Sequence, residues 1–159
     1  MCGFSPLFLS RYNKKECYNP DMETYNYIEK LREHRLKATP QRTAIAEALD
    51  TYGHLSVEEL YELLKRRFHS LSLATIYKNI NIMKENEFVA EVKLPEQKSV
   101  FELKKEAHSH LQCRSCNRVW DLMLDLDDII AQASKKSAFA IEEANLVFSG
   151  LCDRCKNAQ

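Results

Sequence analysis

The stretch His108-Ser109-His110-Leu111-Gln112-Cys113-Arg114-Ser115-Cys116 decides how the rest of this chain is read. Cys113 and Cys116 form a C-x-x-C, and a second pair at the same spacing, Cys152 and Cys155, stands near the C-terminus. Two such knuckles supply four thiolates, the ligand set of a closed tetrahedral Zn²⁺ site. The alternatives are a thiol redox pair or ordinary packing, but two knuckles at one spacing favour metal. The 35 residues between Cys116 and Cys152 exceed the gap of a zinc ribbon, so the metal would clip a strand–helix–strand insertion. The histidines call for another account. Residues i and i+2 of a strand share a face, so His108 and His110 can present both imidazoles to one ion.

Outward from that stretch, bulk properties limit the classes available. At 159 residues the chain makes one ordinary domain or two small ones. No apolar run reaches the length of a membrane span, and Met1–Leu9 lacks the basic lead and small-residue cleavage site of a signal peptide. Four of the six cysteines sit in C-x-x-C pairs, which fits reduced metal-binding thiols in a cytoplasmic protein better than a secreted disulfide scaffold. Net charge is zero, with 14 Lys+Arg against 14 Asp+Glu over residues 22–106 and 6 against 7 over 107–159. Any nucleic-acid contact must therefore rest on local clusters.

Residues 1–21 show no helical or strand period and are read as an N-terminal tail, or as sequence ahead of a translation start at Met22. Tyr25, Ile28 and Leu31 predict a helix over about 23–34. Thr39-Pro40 is a helix start, with Ile45, Ala48, Leu49 and Tyr52 on one face and a stop at Gly53. Ser56-Val57-Glu58-Glu59 is a capping box opening a third helix with Leu60, Leu63, Leu64 and Phe68 as its stripe. Ser72 caps a fourth, Leu73 to about Glu87, in which Leu73, Ile76, Ile80 and Met83 face inward and Thr75, Lys78 and Asn79 outward. Phe88–Leu94 and Ser99–Leu103 then make a hairpin. Helices followed by a hairpin in this order predict a winged helix-turn-helix DNA-binding domain over 22–103. A polar hinge, 104–107, leads to a small αβ domain, 108–159. It has strands at His108–Leu111 and Arg118–Leu122, a helix capped by Asp125 and carrying Leu126, Ile129, Ile130 and Ala133 on one face, and a further strand over Phe139–Phe148. So small a sheet with one helix calls for a twin to cover its apolar face. The fold class is therefore α+β.

Carboxylates near the histidine pair, Glu102 before the hinge and Asp121 after the first knuckle, strengthen the metal reading. His54, in the Gly53–Leu55 loop, adds a fifth candidate. Thr75, Lys78 and Asn79 fall where the second helix of a helix-turn-helix meets bases, and Lys37, Arg42 and Lys65-Arg66-Arg67 can serve phosphates. Tyr77 lies beside Lys78 on the same helix.

Taken together, the chain resembles the ferric uptake regulator (Fur) family of metal-dependent bacterial repressors. The resemblance runs from about Tyr25 to Lys156. It is carried by Leu36-Lys37-Ala38-Thr39-Pro40-Gln41-Arg42, by Ser72-Leu73-Ala74-Thr75-Ile76-Tyr77-Lys78-Asn79, and by His108-x-His110-x-x-Cys113-x-x-Cys116 with Cys152-x-x-Cys155. It implies a homodimer on a palindromic double-stranded DNA operator, structural Zn²⁺ on the four cysteines, and regulatory Fe²⁺ or Mn²⁺ on His54, Glu102, His108, His110 and Asp121. It implies no catalytic residues, no enzyme activity and no small organic ligand. Asp121 resembles the peroxide-sensing PerR-type branch, in which iron-catalysed oxidation of a ligand histidine releases the repressor. Glu102 resembles the iron-uptake branch, and zinc or manganese sensing is the further alternative. A metalloenzyme would need an open metal position and a base. A zinc-stabilised interaction module would explain the cysteines but not His54, Glu102 and Asp121.

Overall fold

The computed structural model describes residues 26–142 and 144–158. Their order is α1 (Tyr27–Glu33), α2 (Pro40–Tyr52), α3 (Val57–Leu64), α4 (Leu73–Glu85), β1 (Val89–Val92) and β2 (Val100–Leu103). There follow β3 (Ser109–Cys113), β4 (Val119–Leu122), α5 (Asp127–Ser137), β5 (Val147–Gly150) and α6 (Asp153–Lys156). The described chain divides into two compact units, residues 26–92 with 98–104 and residues 93–97 with 105–158.

In the first unit the helix starts are written in the sequence. Thr39 accepts from the Arg42 amide with Pro40 at the first helical position. Ser56 and Glu59 complete the reciprocal capping box, the Glu59 carboxylate taking the Ser56 amide at 2.8 Å. Ser72 accepts from the Thr75 amide. Each cap satisfies backbone donors that a helix cannot satisfy internally. Leu31, Ile45, Leu49, Leu55, Leu60, Ile76, Ile80 and Met83 are fully buried between the helices and the β1–β2 hairpin. The hairpin is antiparallel, pairing Val89 with Leu103 and Val92 with Val100. The unit is a winged helix-turn-helix. Leu73, expected inward, is 40% exposed, because it opens α4 one turn before Ile76 reaches the core. The start expected for α1 near residue 23 lies outside the described residues, as does the 1–21 tail.

The second unit is a three-stranded sheet in the order β4-β3-β5, β3 running antiparallel to β4 and parallel to β5. The parallel pair is possible because α5 supplies the crossover. Asp125 does not itself occupy the cap position. It accepts from the Asp127 amide at 3.0 Å, so the turn begins two residues before the helix, whose cap residue is Leu126. The last strand is shorter than the sequence suggests, because residues 138–146 have no regular structure among those described and pairing begins at His110 opposite Val147. Within this unit α5 buries none of its residues, Ile129 is 55% exposed, and Leu111 and Phe148 also stand in solvent.

Candidate metal centres and DNA-facing helix

The four cysteines converge inside the second unit. Cys113 ends β3, Cys116 lies in the following knuckle, Cys152 precedes α6 and Cys155 sits on it. Their sulfurs all lie within 4.8 Å of one another, and the Cys116 and Cys152 sulfurs are 3.9 Å apart. Zn–S bonds of about 2.3 Å in a tetrahedron put sulfurs about 3.8 Å apart, so the cluster fits Zn²⁺. Burial works against a charged Cys113 sulfur, but amide groups of Cys152, Cys116 and Ser115 outweigh it and bring that thiol down to about 6. Cys155 behaves oppositely. The Ser115 hydroxyl favours its thiolate, yet Cys152, burial, Cys113 and Cys116 together push it up to about 11. Cys155 is therefore the thiol whose ionisation depends most on a cation joining the cluster.

A different donor set gathers on the other side of β3. His110 pairs directly with Asp121 on β4, and His108 precedes the strand by one residue, its ring centroid 4.6 Å from that of His110. His108 Nδ1 donates to the Glu106 carbonyl at 2.8 Å, which leaves the Nε2 lone pair as the outward ligand atom. That atom faces Asp121 Oδ1 at 3.5 Å. Two electron-pair donors so placed repel unless a cation or a proton sits between them. Nitrogen and oxygen ligands at this separation fit a divalent first-row ion with bonds of about 2.1 Å at an angle of roughly 110°.

The first unit contains its own pair. Gly53 ends α2 at φ +76°, a conformation that L side chains rarely adopt, and so turns the chain back at once. Leu55 then exchanges two backbone hydrogen bonds with Phe101, at 3.0 and 2.8 Å. An antiparallel bridge at Leu55 and Phe101 sets the residues on either side opposite each other, so His54 faces Glu102. His54 Nε2 lies 3.4 Å from Glu102 Oε2, and the side chains are 7% and 2% exposed. A carboxylate buried to that degree demands positive charge nearby.

On the helix-turn-helix, Tyr77 and Lys78 are exposed as expected, and Thr75 is half-buried with its hydroxyl against Ser72 at 2.9 Å. Asn79 departs from its expected outward position. Its amide oxygen accepts from Arg42 Nε at 3.2 Å, and its nitrogen donates to the Thr75 carbonyl at 3.0 Å and to Gln41 Oε1 at 3.4 Å. Arg42 Nη1 also donates to the Lys37 carbonyl at 3.1 Å. Gln41, not singled out in the sequence, belongs to this web; it could be found only once α2 and α4 were packed together. Of the basic run after α3, Lys65 pairs with Glu62 at 2.6 Å and Arg67 with Glu47 at 3.0 Å. Both pairs are exposed and worth little energetically.

A winged-helix unit, a four-cysteine cluster with zinc-compatible geometry and a histidine–carboxylate cluster define a metal-binding protein of the winged-helix class. The model of the ferric uptake regulator family matches residues 33–149, and the chain belongs to that family of transcriptional regulators. A peroxide-responsive repressor PerR of Staphylococcus epidermidis is 30% identical over 138 residues, covering 86% of this chain and 92% of its own. The ferric uptake regulation protein of Bacillus subtilis is 33% identical over 133 residues, covering 77% and 87% respectively. The solved peroxide stress regulator of Campylobacter jejuni is 31% identical, with a TM-score of 0.63 over 80% of this chain and 98% of that one.

Proposed function

We propose that the protein is a cytoplasmic, homodimeric repressor that binds a palindromic operator when His54, Glu102, His108, His110 and Asp121 hold one Fe²⁺ or Mn²⁺. Its role is regulatory, not enzymatic. The observation that carries this reading is His108 Nε2 facing Asp121 Oδ1 at 3.5 Å beside His110, an arrangement that calls for a cation. His54 and Glu102 form a second donor pair on the winged-helix unit. An ion held by these residues would couple metal occupancy to DNA binding. The exposed Leu111, Phe148 and Ile129 supply the apolar surface that a second copy would cover. In the second unit, with four thiolates closing the sheet, zinc is structural.

The signal in this reading is hydrogen peroxide, supported by Asp121 and by the similarity to peroxide-responsive relatives. An Fe²⁺ ion held by these residues would supply the redox chemistry that splits the O–O bond of peroxide beside the imidazoles. In balance, one peroxide oxygen would enter an imidazole C–H bond of His54 or His108 and the other would leave as water, and the oxidised ring would bind metal poorly. The 33% identity to an iron-uptake regulator, with Glu102 as ligand, supports a second reading in which iron occupancy alone is sensed. DNA mobility shift with Fe²⁺ and with Mn²⁺, before and after brief peroxide, separates them when joined to peptide mass spectrometry. Peroxide sensing requires an oxidised histidine with Fe²⁺ and none with Mn²⁺. Fe²⁺-dependent DNA binding with unmodified histidines would establish the iron-sensing reading instead.

A further inference from the structure

Lys105 opens the second unit, three residues before His108. Its Nζ lies 2.6 Å from Asp121 Oδ2, while Oδ1 of the same carboxylate faces His108 Nε2 at 3.5 Å. The two oxygens of one candidate ligand are therefore divided, one engaged by an ammonium and one directed at the imidazoles. Strand pairing already fixes where Asp121 stands, since it opposes His110 directly. The ammonium is not needed to place the carboxylate. What it adds is charge.

Two consequences act in the same direction. Without a metal, Lys105 offsets the negative charge of Asp121, so an arriving ion finds the carboxylate partly neutralised. With a metal bound, the ammonium stands one carboxylate away from a doubly charged ion and repels it. An ion that seeks both oxygens of Asp121 must also break the Lys105 contact, which affects ions tolerant of high coordination number most. The side chains of Lys105 and Asp121 are 44% and 35% exposed, so water and salt reduce the effect without removing it.

We infer that Lys105 is a built-in competing cation on Asp121 that raises the metal concentration at which this site loads. The inference rests on the reading that His108, His110 and Asp121 bind a divalent ion. Lys105 acts through its charge, touching the ligand and not the ion, and it tunes the threshold of the sensor.

The test is Mn²⁺ affinity of the full-length, zinc-loaded protein, measured by competition with a chelating dye, for the unaltered chain and for Lys105→Ala, Lys105→Arg and His108→Ala. Lys105→Ala is expected to bind Mn²⁺ about three- to tenfold more tightly, and Lys105→Arg to match the unaltered chain. The gap between Lys105→Ala and the unaltered chain should narrow as salt rises to roughly 0.5 M, a response that loss of a purely structural contact would not produce. An affinity unchanged or weakened in Lys105→Ala, with His108→Ala still defective, overturns the role of Lys105 and leaves the metal site standing. Equal Mn²⁺ binding by the unaltered chain and His108→Ala overturns the site and the inference with it.

Discussion

Arg42 Nε donates to Asn79 Oδ1 across 3.2 Å, and with the Asn79–Gln41 contact this ties the first turn of α2 to the middle of α4. The Arg42 guanidinium is thereby aimed from two sides, by Asn79 and by the Lys37 carbonyl. An arginine held in this way loses less freedom on meeting a phosphate than one waving in solvent.

Asn79→Ala should therefore weaken operator binding by freeing the Arg42 guanidinium that it holds. A loss of about 1 kcal/mol, spread evenly over all sequences, is expected. The double variant with Arg42→Ala should lose little more than Arg42→Ala alone, because the two act as one unit. Fluorescence anisotropy on a set of single-base operator variants reads both effects. A change of preference at one base pair would mean that Asn79 contacts a base.

Lys78, exposed on the same helix, should behave in the opposite manner. Lys78→Ala is expected to cost on the order of 1–3 kcal/mol and to relax discrimination at one position. Mn²⁺ affinity should be untouched. Parallel DNA and metal titrations check both halves of this expectation.

Cys116→Ser removes one of four mutually close sulfurs and should release zinc. With the metal lost, the second unit should no longer hold its sheet, and the protein should fall from dimer to monomer in native mass spectrometry. A zinc-free variant that remained fully dimeric would remove the structural role assigned to these thiolates.

The capping box at the start of α3 gives a prediction about stability alone. Glu59 accepts from both the amide and the hydroxyl of Ser56, at 2.8 and 2.9 Å. Ser56→Ala should lower unfolding free energy by about 1 kcal/mol in urea titration, with the slope unchanged.

How much of this was legible in the chain depends on the range of the interactions involved. Thr39-Pro40, Ser56 with Glu59, and Ser72 are local signals, and each became the helix start it announced. The cysteine knuckles were equally plain, because the spacing itself encodes the geometry. Asn79 was misplaced for the converse reason. Helical period places it at the edge of the polar face, and only packing of α2 on α4 turns it toward Arg42. The apolar residues of Phe139–Phe148 suggested one strand, but Phe139 is 73% exposed and ordered pairing begins only at Val147. Lys105 read as hinge, since nothing near it in sequence shows that Asp121 lies across from it.

The Leu55–Phe101 bridge has a use beyond holding a loop to a strand. Both of its hydrogen bonds join amides whose immediate neighbours, His54 and Glu102, are candidate ligands. Those two amide protons exchange with solvent only when the bridge opens, and opening separates the ligand pair. In the proposed site their exchange would slow when an ion engages His54 and Glu102, a gauge of occupancy readable without DNA or any chromophore.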